Sequence, residues 1–241
     1  MKKFIVTAIL FHFFLFVYSQ EKTIRPYVNL KWAPAGLYLG NLSLQGEYNF
    51  GKNSLTAKIG IPLNHQHTFS YDGKDALFDM KATCFQTGYR HYLSKKKMQG
   101  AYVEPYFKYL HHISEGYGDA VLDGEKVRMN FTNDFNSVGV GVQMGVQFLI
   151  SRKIVIDFYF FGPEINSATN NFKAVEVSNV APWNSADAYQ AEQDVRAFIQ
   201  KFPFIRHNMD VMVDSDNKTV RADFKGPLPG YRIGLSFGFA F

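Results

Sequence analysis

The sequence of 241 residues contains a single cysteine, Cys84. One cysteine cannot close an intramolecular disulfide, and it cannot supply the group of thiolates that holds a structural zinc ion. We therefore interpret Cys84 as a small side chain on a strand rather than as a reactive thiol. His65 and His67 lie in a polar stretch and offer two potential metal ligands, which are too few for a site. The sequence predicts neither a bound metal nor a cofactor.

The chain also lacks a strong charge of either sign. Its formal net charge is +5, and it falls to about +3 if Lys2 and Lys3 are removed with an amino-terminal leader. No basic stripe interleaved with aromatic residues accompanies this mild excess. The balance therefore excludes nucleic acid as an expected partner.

Long apolar runs are absent beyond the amino terminus. There, Lys2 and Lys3 precede the apolar residues 4–17, and Ser19 provides a small residue before Gln20. This layout predicts a secretory signal peptide over residues 1–19 and a mature chain over 20–241, because the apolar run is shorter than the roughly 20 residues of a spanning helix. No cysteine follows the run, so a lipoprotein anchor is not expected. Residence in a membrane would have to depend on strands.

The chain contains many segments in which apolar residues alternate with small or polar ones, and residues 230–241 show this pattern best. Six apolar residues occupy every second position: Tyr231, Ile233, Leu235, Phe237, Phe239 and Phe241. Small or polar residues stand between them, and a period of two predicts a β-strand whose faces differ. Four aromatic rings on one face and little bulk on the other favour a strand that faces lipid outward and a narrow interior inward.

Seven earlier segments alternate in the same way. They are residues 24–30, 41–50, 54–63, 84–90, 103–109, 138–148 and 154–160. Short polar turns at 51–53, 94–100 and 151–153 follow the second, fourth and sixth segments, whereas longer links at 64–79, 114–134 and 166–229 follow the third, fifth and seventh. Alternating short and long connections are typical of outer-membrane barrels, with the short turns in the periplasm. The sequence therefore predicts an all-β, eight-stranded antiparallel transmembrane β-barrel.

The longest link, residues 166–229, contains signals of its own. Ser185 is a candidate helix N-cap, and Val195, Phe198, Ile199 and Phe202 recur at helical spacing before Pro203 ends the pattern. Residues 209–213 and 219–224 flank the polar stretch 214–218 and predict a β-hairpin. We expect this insertion to fold as an extracellular cap.

Three stretches carry a resemblance to a known family: SLQGEYNFGKNSLTAKIGIPL (43–63), FYFFGPEI (158–165) and PLPGYRIGLSFGFAF (227–241). In their order and spacing the chain resembles small bacterial outer-membrane barrels of OmpA/OmpX-like architecture that are classed as a domain of unknown function. A helix and hairpin before the last strand are typical of that family. The resemblance implies a fold and an outer-membrane location but no activity. The terminal strand is similar to the signal read by the barrel assembly machinery, which implies that role for Tyr231, Phe237, Phe239 and Phe241.

Charged residues fall on the positions that the alternation turns inward. They are Arg25, Glu47, Lys58, Arg90, Glu104, Lys108, Asp157 and Arg232. Counted from the short turns, five of them share one level, and the hairpin neighbours Glu47 with Lys58 and Arg90 with Glu104 are expected to pair. Because eight strands enclose a space that side chains fill, we predict a salt-bridged, closed lumen. A path for protons or small solutes is the alternative.

A second hypothesis concerns His112 and Ser114, at the extracellular end of the fifth segment. The His-x-Ser pair with Glu115 and Glu125 nearby resembles the constellation of outer-membrane lipid A deacylases, in which histidine is the base and serine the nucleophile. The surrounding pattern of those enzymes is missing here. The sequence thus favours a monomeric outer-membrane protein with a structural or surface-interaction role, in contact with membrane lipid and the assembly machinery. A membrane-embedded lipid hydrolase is the alternative, and a passive channel ranks third.

Overall fold

The structure is a computed structural model that describes residues 27–71, 74–122, 124–178, 182–201 and 204–241. The side chains of residues 69–76, 122 and 198 are not described. The predicted signal peptide over residues 1–19 and the inward position predicted for Arg25 therefore lie outside the described residues.

The described chain is all-β, with one antiparallel sheet of 12 strands. The strands are β1 (Val28–Ala33), β2 (Asn41–Phe50), β3 (Asn53–Pro62), β4 (His65–Tyr71), β5 (Lys74–Tyr92), β6 (Gly100–Leu122), β7 (Glu125–Ile150), β8 (Ile154–Phe161), β9 (Pro163–Glu176), β10 (Met209–Asp214), β11 (Thr219–Tyr231) and β12 (Gly234–Ala240). Two helices accompany them in the described ranges, α1 (Ala35–Tyr38) and α2 (Ser185–Gln200). Neither is long and apolar enough to cross a membrane.

Eight of the strands form a hydrogen-bonded ring. Neighbours follow the order β7-β6-β5-β3-β2-β1-β12-β8, and β8 pairs with β7 as well as with β12, which returns the path to its start. The ring is staggered. From Lys31, one row of paired residues reaches β7 at Gly139 by way of β2, β3, β5 and β6, whereas the opposite row reaches β7 at Leu149, ten positions away. Such a stagger means that the strands tilt relative to the axis of the ring.

The two faces of the ring are the reverse of a water-soluble sheet. The inward residues of β2 are polar or charged and almost fully buried: Asn41, Ser43, Gln45, Glu47 and Asn49 are exposed by 0–5%. The outward residues of the last strand region are apolar and exposed: Tyr231 58%, Ile233 64%, Phe237 40%, Phe239 57% and Phe241 47%. The difference between the two faces is confirmed, but the single strand predicted over residues 230–241 is wrong, because Gly230 and Tyr231 end β11 and β12 begins at Gly234.

The connections at one end of the ring are short, as predicted. The chain turns at residues 51–52, 93–99 and 151–153, and Gly51 (φ 84°), Ser151 (φ 51°) and Arg152 (φ 60°) adopt the left-handed backbone that tight hairpin turns require. We call this the short-turn end. Residue 27 and Phe241 lie there too, since the amide of Tyr27 donates to the carbonyl of Phe241.

At the other end the predicted loops are wrong, because strands continue through them. Residues 64–79 were expected to be a polar stretch but contain β4 paired to the first part of β5. Residues 114–134 were expected to be a loop but form the paired ends of β6 and β7, with Leu122 opposite Glu125. Ladder hydrogen bonds use backbone groups only, so polar and glycine-rich sequence does not stop them.

The predicted insertion, residues 166–229, also continues the sheet rather than forming a separate unit. β9 and β11 pair along 13 positions from Pro163–Tyr231 to Val175–Thr219, and β9 pairs with β7 on its other side. We call the upper sheet the set β4, β9, β10 and β11 with the parts of β5, β6 and β7 that pair with it. The predicted hairpin is confirmed, since Met209–Asp214 pairs with Thr219–Phe224.

The helix α2 packs on the inward face of the upper sheet. Its Ala191 and Ile199 are buried with Trp183 and with strand residues that include Val211 and Ala222, and Val195 packs against the same core. The side chain of Phe198, and all of Phe202 and Pro203, lie outside what the structure describes.

The predicted cap residue of this helix is one position off. Ser185 is the first helical residue, and the side chain of Asn184 caps the helix by accepting from the amides of Ala186 and Asp187, at 2.7 and 2.9 Å. The side chain of Asp187 accepts in return from the amide of Asn184. Asn and Ser are both strong caps, so the sequence does not separate the adjacent candidates.

Candidate functional site

The interior of the ring holds two charged layers, and the first lies toward the short-turn end. We call it the lower layer; it comprises Lys31, Glu47, Arg90, Glu104 and Asp157. All five side chains are inaccessible to solvent. They project from β1, β2, β5, β6 and β8, so the layer ties five of the eight ring strands together through side chains.

Arg90 is the centre of the lower layer. Its Nε lies 2.7 Å from a carboxylate oxygen of Glu104, and its Nη1 lies 2.9 Å from Asp157 and 3.5 Å from Glu47. The guanidinium also stacks 3.7 Å above the centre of the Tyr102 ring. The predicted pairing of Arg90 with Glu104 is present, and Arg90 in addition joins carboxylates from two other strands.

Lys31 is the second cation, and the sequence reading missed it. Its Nζ lies 2.6 Å from Asp157 and 3.2 Å from Glu47, and it donates to the side-chain oxygen of Gln147 at 2.8 Å. The sequence did contain a signal for this inward position, because Lys31 follows Asn29 by two residues and so lies on the same face of the strand. The predicted first strand stopped at residue 30, whereas β1 runs from Val28 to Ala33.

Neutral donors complete the lower layer. The hydroxyls of Tyr92, Tyr102 and Thr56 donate to Glu47, Asp157 and Glu104 at 2.5, 2.7 and 2.6 Å, and the Asn29 amide donates to Glu47 at 2.8 Å. Buried charge is tolerated only when it is paired and hydrogen-bonded in this way. With two cations and three carboxylates, the layer has a formal charge of −1.

Inward glycines make room for the tyrosines. A Cβ on Gly145 would meet the Tyr102 hydroxyl at 2.5 Å, and one on Gly141 would meet the Tyr106 hydroxyl at 2.5 Å. The alternating glycines of residues 138–148 are thus matched to rings on the neighbouring strand β6. The ring interior is filled by side chains at this level.

The second charged layer lies further from the short-turn end. We call the upper layer the set Lys58, Lys108, Glu164 and Arg232. Lys108 forms an ion pair with Glu164, which also accepts from the Tyr106 hydroxyl at 2.8 Å. Arg232 donates to the side-chain oxygen of Gln86 and lies 4.9 Å from the centre of the Tyr106 ring.

The predicted pairing of Lys58 with Glu47 is wrong. Glu47 bonds to the lower layer, while Lys58 stands opposite Gln45 on β2 and Gln86 on β5. The reason is the register of the β2–β3 hairpin, in which Glu47 stands opposite Thr56 and Lys58 lies two residues further from the turn.

The sequence analysis also missed Glu164, because a β-bulge changes which residues of the strand face inward. Tyr159 pairs with Gly145 but Phe161 pairs with Met144, so β8 carries one extra residue. Phe160 and Phe161 are both exposed, at 43% and 45%. Inward positions are odd-numbered before the bulge and even-numbered after it, where Glu164 faces inward. The two successive phenylalanines, Phe160 and Phe161, interrupt the alternation and were the sequence signal for this bulge.

The His112–Ser114 pair does not assemble the predicted constellation. Both side chains face inward from β6, but within the described residues no hydrogen bond joins them. Glu115 is exposed on the opposite face of the strand, and Glu125 is exposed near the tip of the β6–β7 hairpin. Because neighbours on a strand point to opposite faces, no carboxylate at residue 115 can orient the His112 ring.

The histidines of β4 likewise form no metal centre in the described ranges. The rings of His65 and His67 lie 4.7 Å apart in an edge-on contact, and the ring of His67 also contacts that of Tyr38 at 4.1 Å. Among the residues described, no group of three or more His, Cys, Asp or Glu is arranged to hold a metal ion.

Comparisons with known proteins give no assignment. No protein-family model matches the chain, and the curated proteins contain no significant match. The geometry of the ring and its two charged layers is therefore the basis on which a function is argued.

Proposed function

We propose that this chain is a transmembrane β-barrel of the bacterial outer membrane, with a closed, salt-bridged lumen and a structural or surface-interaction role. One observation carries the proposal: a closed ring of strands buries its charged residues and exposes its aromatic ones. That arrangement suits a solvent which is apolar outside the ring, because hydrocarbon tolerates no unpaired strand edge and no exposed charge.

The dimensions of the ring support the same proposal. β2 and β3 each contain 10 residues, and tilted strands of roughly 9–11 residues span a bilayer. An eight-stranded barrel with tilted, staggered strands has an interior that side chains fill. The resemblance to small outer-membrane barrels, read from residues 43–63, 158–165 and 227–241, points in the same direction.

Orientation and partners follow from the connections. Short turns are typical of the periplasmic side, so the short-turn end is assigned there and the upper sheet outside the cell. Membrane lipid is the partner of the apolar outer face. The exposed Tyr231, Phe237, Phe239 and Phe241 are assigned as the signal for the barrel assembly machinery, and the barrel is proposed to act as a monomer after cleavage of residues 1–19.

The surface orientation is tested with an epitope tag inserted after Asp216. This residue lies in the exposed β10–β11 turn, where two hydrogen bonds from Asn217 lower the pKa of Asp214 and order the turn. We expect antibody to label the tag on intact cells. A matched tag after Lys96, in a short turn, should become accessible only after the outer membrane is broken, and the reverse pattern would invert the proposed orientation.

A closed lumen predicts no appreciable ion conductance. Lys31 and Arg90 reach across the ring to Asp157, and the side chains of the lower layer are inaccessible to solvent. Ions would have to cross that layer without a continuous water column. Planar-bilayer recording of the purified protein measures this directly, and a stable open level on the nanosiemens scale would exclude the closed lumen.

The hydrolase alternative gains no support from the arrangement of His112 and Ser114, since an orienting carboxylate is not on their face of β6.

The heat-dependent change of gel migration in a membrane fraction tests the proposed barrel itself. We expect the unheated protein to migrate as a compact band and the heated protein as a slower one. A single unshifted band in every preparation would exclude the barrel.

A further inference from the structure

The two layers inside the ring carry opposite formal charges. The lower layer, with two cations and three carboxylates, amounts to −1, whereas the upper layer, with three cations and Glu164, amounts to +2. Lys58 and Lys108 project inward from the ring strands β3 and β6, and Glu164 and Arg232 join them from β9 and from the link before β12. The charges of the two layers therefore interact in surroundings that screen them less than bulk water does. The excess positive charge of the upper layer is the feature that the closed-lumen proposal leaves unexplained.

Only one of the three upper cations is neutralised by a carboxylate. Lys108 pairs with Glu164, while Arg232 bonds to the neutral Gln86 and rests against the rings of Tyr106 and Tyr159, at 4.9 and 5.3 Å. Among the described residues, Lys58 has no hydrogen bond and no ion pair, and it is half-buried. A partly buried ammonium without a counter-ion is costly unless something supplies the missing charge.

A buried amide oxygen without a partner lies on the same inward face. Gln143 is 2% exposed and its Oε1 has no hydrogen-bond partner, whereas the buried Asn166 already donates from its amide nitrogen to Glu164 and to the carbonyl of Leu228, at 3.3 and 3.1 Å. The backbone of Gly162 brings Gln143 next to Arg232, since a Cβ built there would approach both side chains, at 3.4 and 3.0 Å. An amide whose oxygen and nitrogen exchange places would present a donor instead.

We propose that the upper layer binds a small oxyanion, of the phosphate or carboxylate class, with Lys58 and Arg232 as its charged ligands. The buried amide of Gln143, beside Arg232, supplies a neutral donor. The proposal rests on the barrel described above and adds a ligand class to it. The negative lower layer repels an anion, so the anion is held at the upper layer rather than passed through.

The test uses the full chain refolded in a non-ionic, phosphate-free detergent, with heat-modifiable migration checked first. Isothermal titration with inorganic phosphate should show saturable binding of one equivalent. Lys58→Gln should weaken binding by about tenfold or more, as expected for one charge-assisted hydrogen bond. Lys52→Gln removes an equal charge from an exposed turn and should bind phosphate as the unmodified protein does.

Two results would overturn the site. The first is a folded barrel without saturable phosphate binding, and the second is an equal loss in Lys58→Gln and Lys52→Gln. A chain that never gives the heat-modifiable band would instead contradict the barrel. Glycerol 3-phosphate, titrated in parallel, separates the two sources of the anion: equal or tighter binding favours a lipid-headgroup ester, and weaker binding favours free phosphate.

Cys84 offers a second measurement, which uses the unmodified protein and therefore does not depend on the folding of a variant. It faces inward on β5 opposite Gly60, one inward step from the pair of Lys58 and Gln86. The positive upper layer should make this cysteine react faster with an anionic methanethiosulfonate than with a cationic one, relative to a free thiol, and phosphate should slow the reaction. An equal or reversed preference, or no reaction with either reagent, would contradict an accessible anion site.

Discussion

Replacing Arg90 by Met is expected to destabilise the folded ring by about 3–5 kcal/mol, which is the usual cost of removing one partner from a buried ion pair. The change leaves Glu47, Glu104 and Asp157 with Lys31 as their single cation, so the formal charge of the lower layer falls from −1 to −2. It also removes the guanidinium that stacks on Tyr102. Urea titration in detergent, followed by the fraction of heat-modifiable band, measures the effect.

Two further variants separate the charge effect from a general loss of an arginine. Arg221→Met removes an exposed arginine from the upper sheet and should leave the urea midpoint close to that of the unmodified protein. Arg90→Met combined with Glu104→Gln restores the formal charge of −1 to the lower layer. The double variant should therefore lose less stability than the two single variants together. Additive losses would mean that the ion pair of Arg90 with Glu104 contributes nothing.

The ring strands were predictable because apolar residues alternate along them with polar or small ones. β2 matches its predicted limits, 41–50, and β8 begins at the predicted Ile154. In both strands one face is apolar and the other is polar or small, so the period of two is unambiguous. The short turns were predictable for a related reason, since they are polar and break the alternation at once.

The upper sheet was not predictable by the same rule. Beyond the proposed bilayer, β6 and β7 lose the regular alternation of apolar and polar residues, and polar residues such as Asn133 and Asp134 occupy β7 without interrupting it. The pairing there depends on backbone hydrogen bonds that any residue except proline can make. Residues 114–134 were therefore expected to be a loop, although they belong to two paired strands.

The charged interior was predicted in composition but not in arrangement. The alternation of inward and outward residues correctly predicted that Arg90 and Glu104 pair. It did not predict the level of Lys58 along the axis of the ring, and it did not predict that Glu164 faces inward. The height of Lys58 depends on its register in the β2–β3 hairpin, and the place of Glu164 depends on the bulge at Phe160. Both are properties of strand register, which is set by the pairing of two strands and not by any one segment.

The contact between the first and last strands is expected to be the most sensitive part of the ring. β12 pairs with β8 on one side and with β1 on the other, so the whole ring closes through it. Gly238 lies opposite Lys31, and a Cβ at residue 238 would clash with the carbonyl of Leu30 and stand 2.6 Å from the Cα of Lys31. The clash is with backbone, which cannot turn aside as a side chain can.

Gly238→Ala should therefore separate β1 from β12 and displace Lys31 from Glu47 and Asp157. Each backbone group left unpaired in hydrocarbon costs several kcal/mol, so we expect the heat-modifiable band to fall by roughly tenfold or more. Gly46→Ala is the matched control, because a Cβ at Gly46 on β2 meets nothing within 4 Å. That variant should assemble at the normal level. Equal yields of folded protein from the two variants would show that the contact of β1 with β12 does not close the ring.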